Sequence, residues 1–170
     1  CQEALGGILF IDEAYTLTEN DAGGYGLIAV EKIMKFMEDH RDDIVVVAAG
    51  YDKKMEDFLK ANPGLKSRFE NSLKLEDYTP DELFAILKLY ASKDEEIISE
   101  RAQNKIYSAI NKLYMRRTDN FGNARTIRTN WENIIKNRDN RICLLPAEKR
   151  TNLVLKTIEA EDIPDEFKEE

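Results

Sequence analysis

Asp12 and Glu13 stand side by side directly after the apolar run Ile8-Leu9-Phe10-Ile11. In a parallel α/β sheet, ligands gather at the carboxyl ends of the strands. An acid pair placed there has a definite chemical use. The first carboxylate holds Mg²⁺, directly or through water, and the second polarises a water for attack on a γ-phosphate. Mg²⁺ takes hard oxygen ligands and keeps several of its own waters, so one or two carboxylates suffice. The plain alternative is a strand-end turn whose acids are merely solvated. Asp12-Glu13-Ala14-Tyr15 also resembles the D-E-A-x box of helicases, but the next apolar run ends Ala48-Ala49-Gly50-Tyr51 and no second α/β lobe follows.

Two arginines extend this chemistry. Arg68 lies in Pro63-Gly64-Leu65-Lys66-Ser67-Arg68-Phe69, read as a corner between a helix stop and the next strand. A planar guanidinium projecting from such an edge spreads transition-state charge on phosphoryl oxygens better than an ammonium does. Taken alone, a surface arginine is more commonly solvated or paired with a carboxylate. Arg125 follows Phe121-Gly122-Asn123-Ala124. Asn123 is a good helix cap, which puts Arg125 in a first turn, where a cation is disfavoured unless an anion sits there. A phosphate resolves that conflict; an arginine turned to water or to a carboxylate does so equally well.

The elements that must position these residues can be read from periodicity. The runs Ile8–Ile11 and Ile44–Ala49 are short, continuous and rich in β-branched residues, and read as strands buried on both faces. Between them, Leu27, Val30, Ile33, Met34 and Met37 keep helical spacing, giving a strand-helix-strand crossover and an α/β core. His40 ends that helix, as a capping or dipole-complementing residue. Met55, Phe58 and Leu59 mark a short helix stopped at Asn62-Pro63-Gly64, and Leu73 and Leu75 alternate in a third strand.

Thr79-Pro80-Asp81-Glu82 then opens a helical region, with a capping Thr, Pro at the first position and Glu three residues after the cap. Stripes at Leu83, Ile86, Leu87 and Tyr90, at Ile106, Ala109, Ile110 and Leu113, and at Ile127, Trp131, Ile134 and Ile135 predict three helices, the last starting near Asn123. Glu159 to Ile163 reads as a short turn before an acidic, frayed tail. The boundary falls near Tyr78, dividing residues 1–78 from residues 79–170.

Bulk properties exclude several classes. Hydrophobic residues make up 42% of the 170, which is globular composition. A net charge of −8 speaks against a general nucleic-acid-binding surface. No apolar run approaches the roughly 20 residues of a membrane span. Cys1 and Cys143 form no metal-ligand spacing, which fits a reduced, cytoplasmic setting. The first residues are no signal peptide and lack an initiator Met, so the chain is expected to begin within a longer gene product.

Together the motifs occur in one order that resembles the CbbX/SpoVK branch of the AAA+ ATPases, the red-type Rubisco activases and stage V sporulation protein K-like proteins. The matching stretches are Gly6 to Tyr15, Met37 to Asp43, Ala49-Gly50-Tyr51, Asn62 to Phe69, Phe121 to Arg125 and Thr157 to Ile163. The resemblance implies an α/β fold: a partial AAA+ parallel-sheet core, from the Walker B strand onward, followed by an α-helical lid. It implies ATP and Mg²⁺ as cofactors, with Asp12 the Mg²⁺ ligand and Glu13 the water-activating base. Arg68 resembles an arginine finger acting in trans, and Arg125 the sensor-2 arginine of the lid. The loop from Asp21 to Gly26, with Tyr25, is similar in position to a loop facing a central pore. Family members form rings, usually hexamers, and remodel a protein client.

Three departures accompany the resemblance. Gly50-Tyr51 stands where many relatives carry a polar sensor-1 residue, leaving that role unassigned. Lys66 replaces a frequent second arginine. No G-x-x-x-x-G-K-[ST] phosphate loop occurs in these residues, so the chain alone is expected neither to bind ATP tightly nor to hydrolyse it, and its lid to be the better-formed part. A degenerate, non-enzymatic relative acting as an interaction module is the competing expectation.

Overall fold

The two apolar runs pair as parallel strands in the computed structural model, which describes residues 1–19, 24–118 and 121–168. The first strand, β1 (Gly7–Ile11), runs beside β2 (Ile44–Ala48) in the register Gly7 to Ile44 through Ile11 to Ala48. A one-turn helix α1 (Thr16–Glu19) and the crossover helix α2 (Tyr25–Asp39) lie between them in sequence. His40 terminates α2 as expected: its N–H donates to Phe36 O at 3.1 Å, and its ring packs on the Phe36 ring at 4.4 Å. The chain divides into two compact units, residues 1–75 and 76–170.

The strands differ from the sequence expectation in one respect. Ile8, Phe10, Val45 and Val47 share one face, and that face is exposed, Ile8 to 66%. Within the two strands, only the alternate residues Leu9, Ile11, Ile44, Val46 and Ala48 are partly covered. An unbroken apolar run requires apolar cover on both faces; within this unit the helices cover one. The buried cluster there comprises Ala14, Tyr15, Val30, Met34, Phe58 and Leu65.

The region after β2 also departs from expectation. Helix α3 (Asp52–Ala61) is followed at once by α4 (Pro63–Arg68). Asn62-Pro63 therefore starts a helix as well as stopping one: Asn62 Oδ1 accepts from Gly64 N–H at 2.8 Å, and Pro63 takes the first position, where its missing donor costs nothing. The expected third strand does not form. Residues 69–79 carry no regular structure, and Leu73 and Leu75 are 86% and 83% exposed. Alternation makes a strand only where a neighbouring strand accepts its ladder bonds, and none flanks this segment among the described residues.

The second unit is helical. Helix α5 (Pro80–Lys93) begins with the expected capping box: Glu82 N–H donates to Thr79 Oγ1, and Thr79 N–H donates to Glu82 Oε2 at 2.8 Å. A short strand β3 (Ile97–Ile98) leads to α6 (Glu100–Met115), and α7 (Ala124–Leu144) follows. After α8 (Asn152–Lys156), strand β4 (Thr157–Ile158) pairs in parallel with β3. The predicted stripes meet in one core containing Leu83, Leu87, Ile106, Ile110, Leu113, Ile127, Trp131 and Ile134. Trp131 gives that core its one buried indole, whose Nε1 donates to Asp94 at 2.8 Å. This core is larger than that of the first unit, as expected of the lid.

The tail is not frayed through Lys168. Ile163 and Phe167 are buried in the core, and Asp162, 1% exposed, takes two bonds of 2.8 Å from Arg141. Asn130 donates to Lys168 O and accepts from Lys168 N–H, while Arg116 donates to Glu166 and to Phe167 O. Acidic composition masks this packing, because the burial rests on two apolar residues four apart.

Candidate functional site

The acid pair owes its position to a bulge. Beyond the regular β1–β2 ladder, Ala49 N–H donates to Ile11 O at 2.9 Å, and the next rung comes from Ala14 N–H to Ala49 O at 3.0 Å. A regular parallel ladder would draw that rung from residue 13. Asp12 and Glu13 therefore stand together opposite Ala49, which is the two-against-one count of a bulge. Glu13 takes φ 47°, a left-handed conformation uncommon outside glycine and asparagine. Asp12 Oδ1 accepts from Glu13 N–H at 3.0 Å, and Thr16 Oγ1 donates to Glu13 O at 2.8 Å. Both acids are exposed at the carboxyl end of the strand pair.

A packed floor holds this bulge. Tyr15 is buried, and a Cβ on Gly50 would come within 2.7 Å of its ring and 2.8 Å of Met55 Sδ. Glycine is thus the residue that lets β2 pass beside Tyr15. Lys54 Nζ sits 4.3 Å from the centroid of the same ring and 3.2 Å from Glu19 Oε2. Burial raises the Tyr15 phenol above its ordinary value, and the nearby Glu13 carboxylate adds to the rise. The hydrogen bond to Glu19 raises the Lys54 ammonium, which stays charged.

Arg68 lies in the same unit but does not contact the acids. It is the last residue of α4 rather than a corner before a strand. Its Nη2 donates to Glu38 Oε2 on α2 at 2.9 Å and its Nη1 to Gly64 O at 3.3 Å, while Nε is buried without a partner. The guanidinium is folded back on its own unit. Lys66 is exposed.

Arg125 belongs to the second unit, in the first turn of α7, and is exposed. Asn123 occupies the cap position, but its side chain does not cap: it accepts from Tyr78 N–H at 3.0 Å and donates to Asp77 at 2.7 Å. Tyr25 opens α2 and is 80% exposed. Residues 21–23 of the loop expected to face a pore lie outside the described residues.

Sequence reading missed Glu38, Tyr15, Lys54 and Asp77. Gly50, wedged between a strand and a helix, was the one available signal of a close approach. The pairing of Arg68 with Glu38 spans 30 residues and leaves no local pattern.

The donor set suits Mg²⁺ better than a softer ion. No group of three His, Cys, Asp or Glu side chains among the described residues forms a protein cage. An exposed acid pair fits an ion that retains most of its waters and takes further oxygens from phosphate.

Comparison with known proteins agrees with this architecture. Residues 79–170 match the AAA lid domain family. The chloroplastic ribulose bisphosphate carboxylase/oxygenase activase of Cyanidioschyzon merolae is 39% identical over 163 residues, covering 95% of this chain and 55% of that protein. The CfxQ homolog of Cyanidium caldarium is 38% identical, covering 95% and 56%. The CbbX protein of Cereibacter sphaeroides is 34% identical, covering 95% and 52%. A parallel strand pair ending in an acid bulge, then a helical unit, is thus consistent with a partial AAA+ core followed by an α-helical lid. The chain belongs to the AAA+ ATPases, in the red-type CbbX branch. It spans about half the length of the curated relatives it matches. No described helix is long and apolar enough to cross a membrane.

Proposed function

We propose that this chain is the part of a cytoplasmic AAA+ machine that supplies the hydrolytic acids and the lid, coupling ATP turnover to remodelling of a protein client. The observation that carries the reading is the bulge between Ile11 and Ala14, which extrudes two consecutive carboxylates at the carboxyl end of a parallel strand pair. Asp12 would hold Mg²⁺, which when bound neutralises charge on the β- and γ-phosphate oxygens. Glu13 accepts a proton-bearing contact from the attacking water and orients it. Arg125 meets phosphate oxygens from the lid. Arg68 leaves Glu38 and acts as the finger on the nucleotide of a neighbouring copy in a ring, a hexamer by family resemblance. The Cyanidioschyzon relative is named for activating a carboxylase, and a folded protein of that kind is the proposed class of client.

The test is Glu13→Gln in the complete protein. ATP binding is expected to persist while hydrolysis falls to background; sustained turnover overturns the role given to Glu13. The chain of 170 residues alone is expected to hydrolyse no ATP.

A further inference from the structure

The segment at which the chain enters the second unit is tied, side chain to side chain, to the turn that carries Arg125. Asp77 is the centre of the tie. Its Oδ1 accepts from Asn123 Nδ2 at 2.7 Å, and its Oδ2 accepts from Arg117 Nε at 3.2 Å. Asn123 Oδ1 accepts from Tyr78 N–H at 3.0 Å, so both ends of one amide are committed to residues 77 and 78. Arg117 is itself fixed: Nη1 donates to Tyr114 O at 2.8 Å, and the guanidinium lies 3.7 Å from the centroid of the Tyr114 ring.

The backbone of the turn is built for this contact. Asn123 has φ 49° and ψ −121°, a region few residues with a side chain adopt. An asparagine at a cap position ordinarily turns its oxygen onto the N–H groups of the first turn. Here that oxygen is spent on Tyr78, so the strained backbone serves the tie and leaves α7 without a side-chain cap. Gly122 completes the turn, since a Cβ there would lie 2.5 Å from Thr126 Oγ1. Two residues beyond Asn123, the Arg125 guanidinium is exposed and has no ion-pair partner among the described residues.

We propose that Asp77, acting through Asn123, is the positioning residue for Arg125. Displacement of residues 76–78 is passed through the Asn123 amide to the first turn of α7, and so to the guanidinium. This rests on the reading of Arg125 as a phosphate-contacting residue. A dipeptide held at two points, with its anchor acid braced by Arg117, moves with the turn instead of independently of it.

Titration of a fluorescent ATP analogue into the complete protein tests this. The variants are Arg125→Ala, Asp77→Ala, Asp77→Asn, Asn123→Gly and the double variant Asp77→Ala/Arg125→Ala. Asn123→Gly removes the amide while leaving a residue at ease with positive φ, and Asp77→Asn keeps the side-chain shape, so that loss of fold does not mask the answer. Asp77→Ala and Asn123→Gly are expected to weaken binding about fivefold, a typical coupling for residues in one network. Arg125→Ala weakens it further, and Asp77→Ala then adds nothing in the Arg125→Ala background. An Asp77→Ala effect of equal size with and without Arg125 overturns the proposal, as do unchanged affinities in the Asp77 and Asn123 variants when Arg125→Ala weakens binding. If Arg125→Ala itself leaves affinity unaltered, the phosphate role of Arg125 fails first and the positioning role with it.

Discussion

Arg68 and Glu38 form an ion pair at 2.9 Å that joins the end of α4 to α2. The arginine side chain is 29% exposed and the glutamate 62%, so the carboxylate end of the pair is solvated while the guanidinium is largely covered. If Arg68 serves as the finger, Arg68→Ala in the complete protein should lower ATP turnover by about 10³-fold, the low end for loss of a finger arginine. Arg68→Lys should rescue little of it, because an ammonium lacks the planar fork. Steady-state ATPase assays give the answer; near-normal turnover in Arg68→Ala refutes the role. Glu38→Gln should cost less than about 1 kcal/mol of stability in urea unfolding.

Gly50 admits no side chain without moving the buried Tyr15 ring and Met55. Gly50→Ala is therefore expected to destabilise the first unit by about 1–3 kcal/mol, the usual cost of overpacking. Because Tyr15 follows the bulge directly, the same change should also reduce turnover in the complete protein. A variant with unaltered unfolding would show that the ring yields freely.

The capping box gives the lid an acid-sensitive element. Bonds from Thr79, its backbone N–H foremost, hold the Glu82 carboxyl below its ordinary value. A carboxyl depressed on folding stabilises fully above its unfolded pKa, and that contribution is lost as pH falls through the lower folded value. Urea midpoints of the parent and Glu82→Ala should thus differ most near neutrality and converge in acid. A gap that widens in acid contradicts the sign. Thr79→Ala should cost about 1 kcal/mol at neutral pH.

Phe167 is fully buried three residues from the end of the sequence. Phe167→Ala should cost about 3–5 kcal/mol in the second unit, as for other buried aromatics. Thermal unfolding followed by the fluorescence of Trp131, in the same core, reports it directly. A loss below about 1 kcal/mol would mean the tail is not integral.

The elements carried by local rules were legible in the sequence. Thr79, Pro80 and Glu82 announced α5 because a capping box is complete within four residues, and the Ile106–Leu113 stripe is complete within two turns. What required a partner elsewhere was not. Leu73 and Leu75 have the alternation of a strand but no ladder to join among the described residues. The two-residue strands Ile97–Ile98 and Thr157–Ile158 are too short to show a period and exist through their pairing. At the site, Asp12 and Glu13 could be found because two acids after an apolar run are a local event. The bulge that presents them depends on Ala49 across the ladder. Asn123 read as a cap because the residue type fits one; its actual partners, Tyr78 and Asp77, are 45 and 46 positions away.

The uncovered side of the strand pair sets the colloidal behaviour of the chain. Ile8, Phe10, Val45 and Val47 offer an adhesive spot on a body whose net charge of −8 keeps copies apart. Long-range repulsion shrinks with added electrolyte while apolar adhesion does not. Dispersed in dilute buffer, preparations of this chain should therefore cluster as salt is raised.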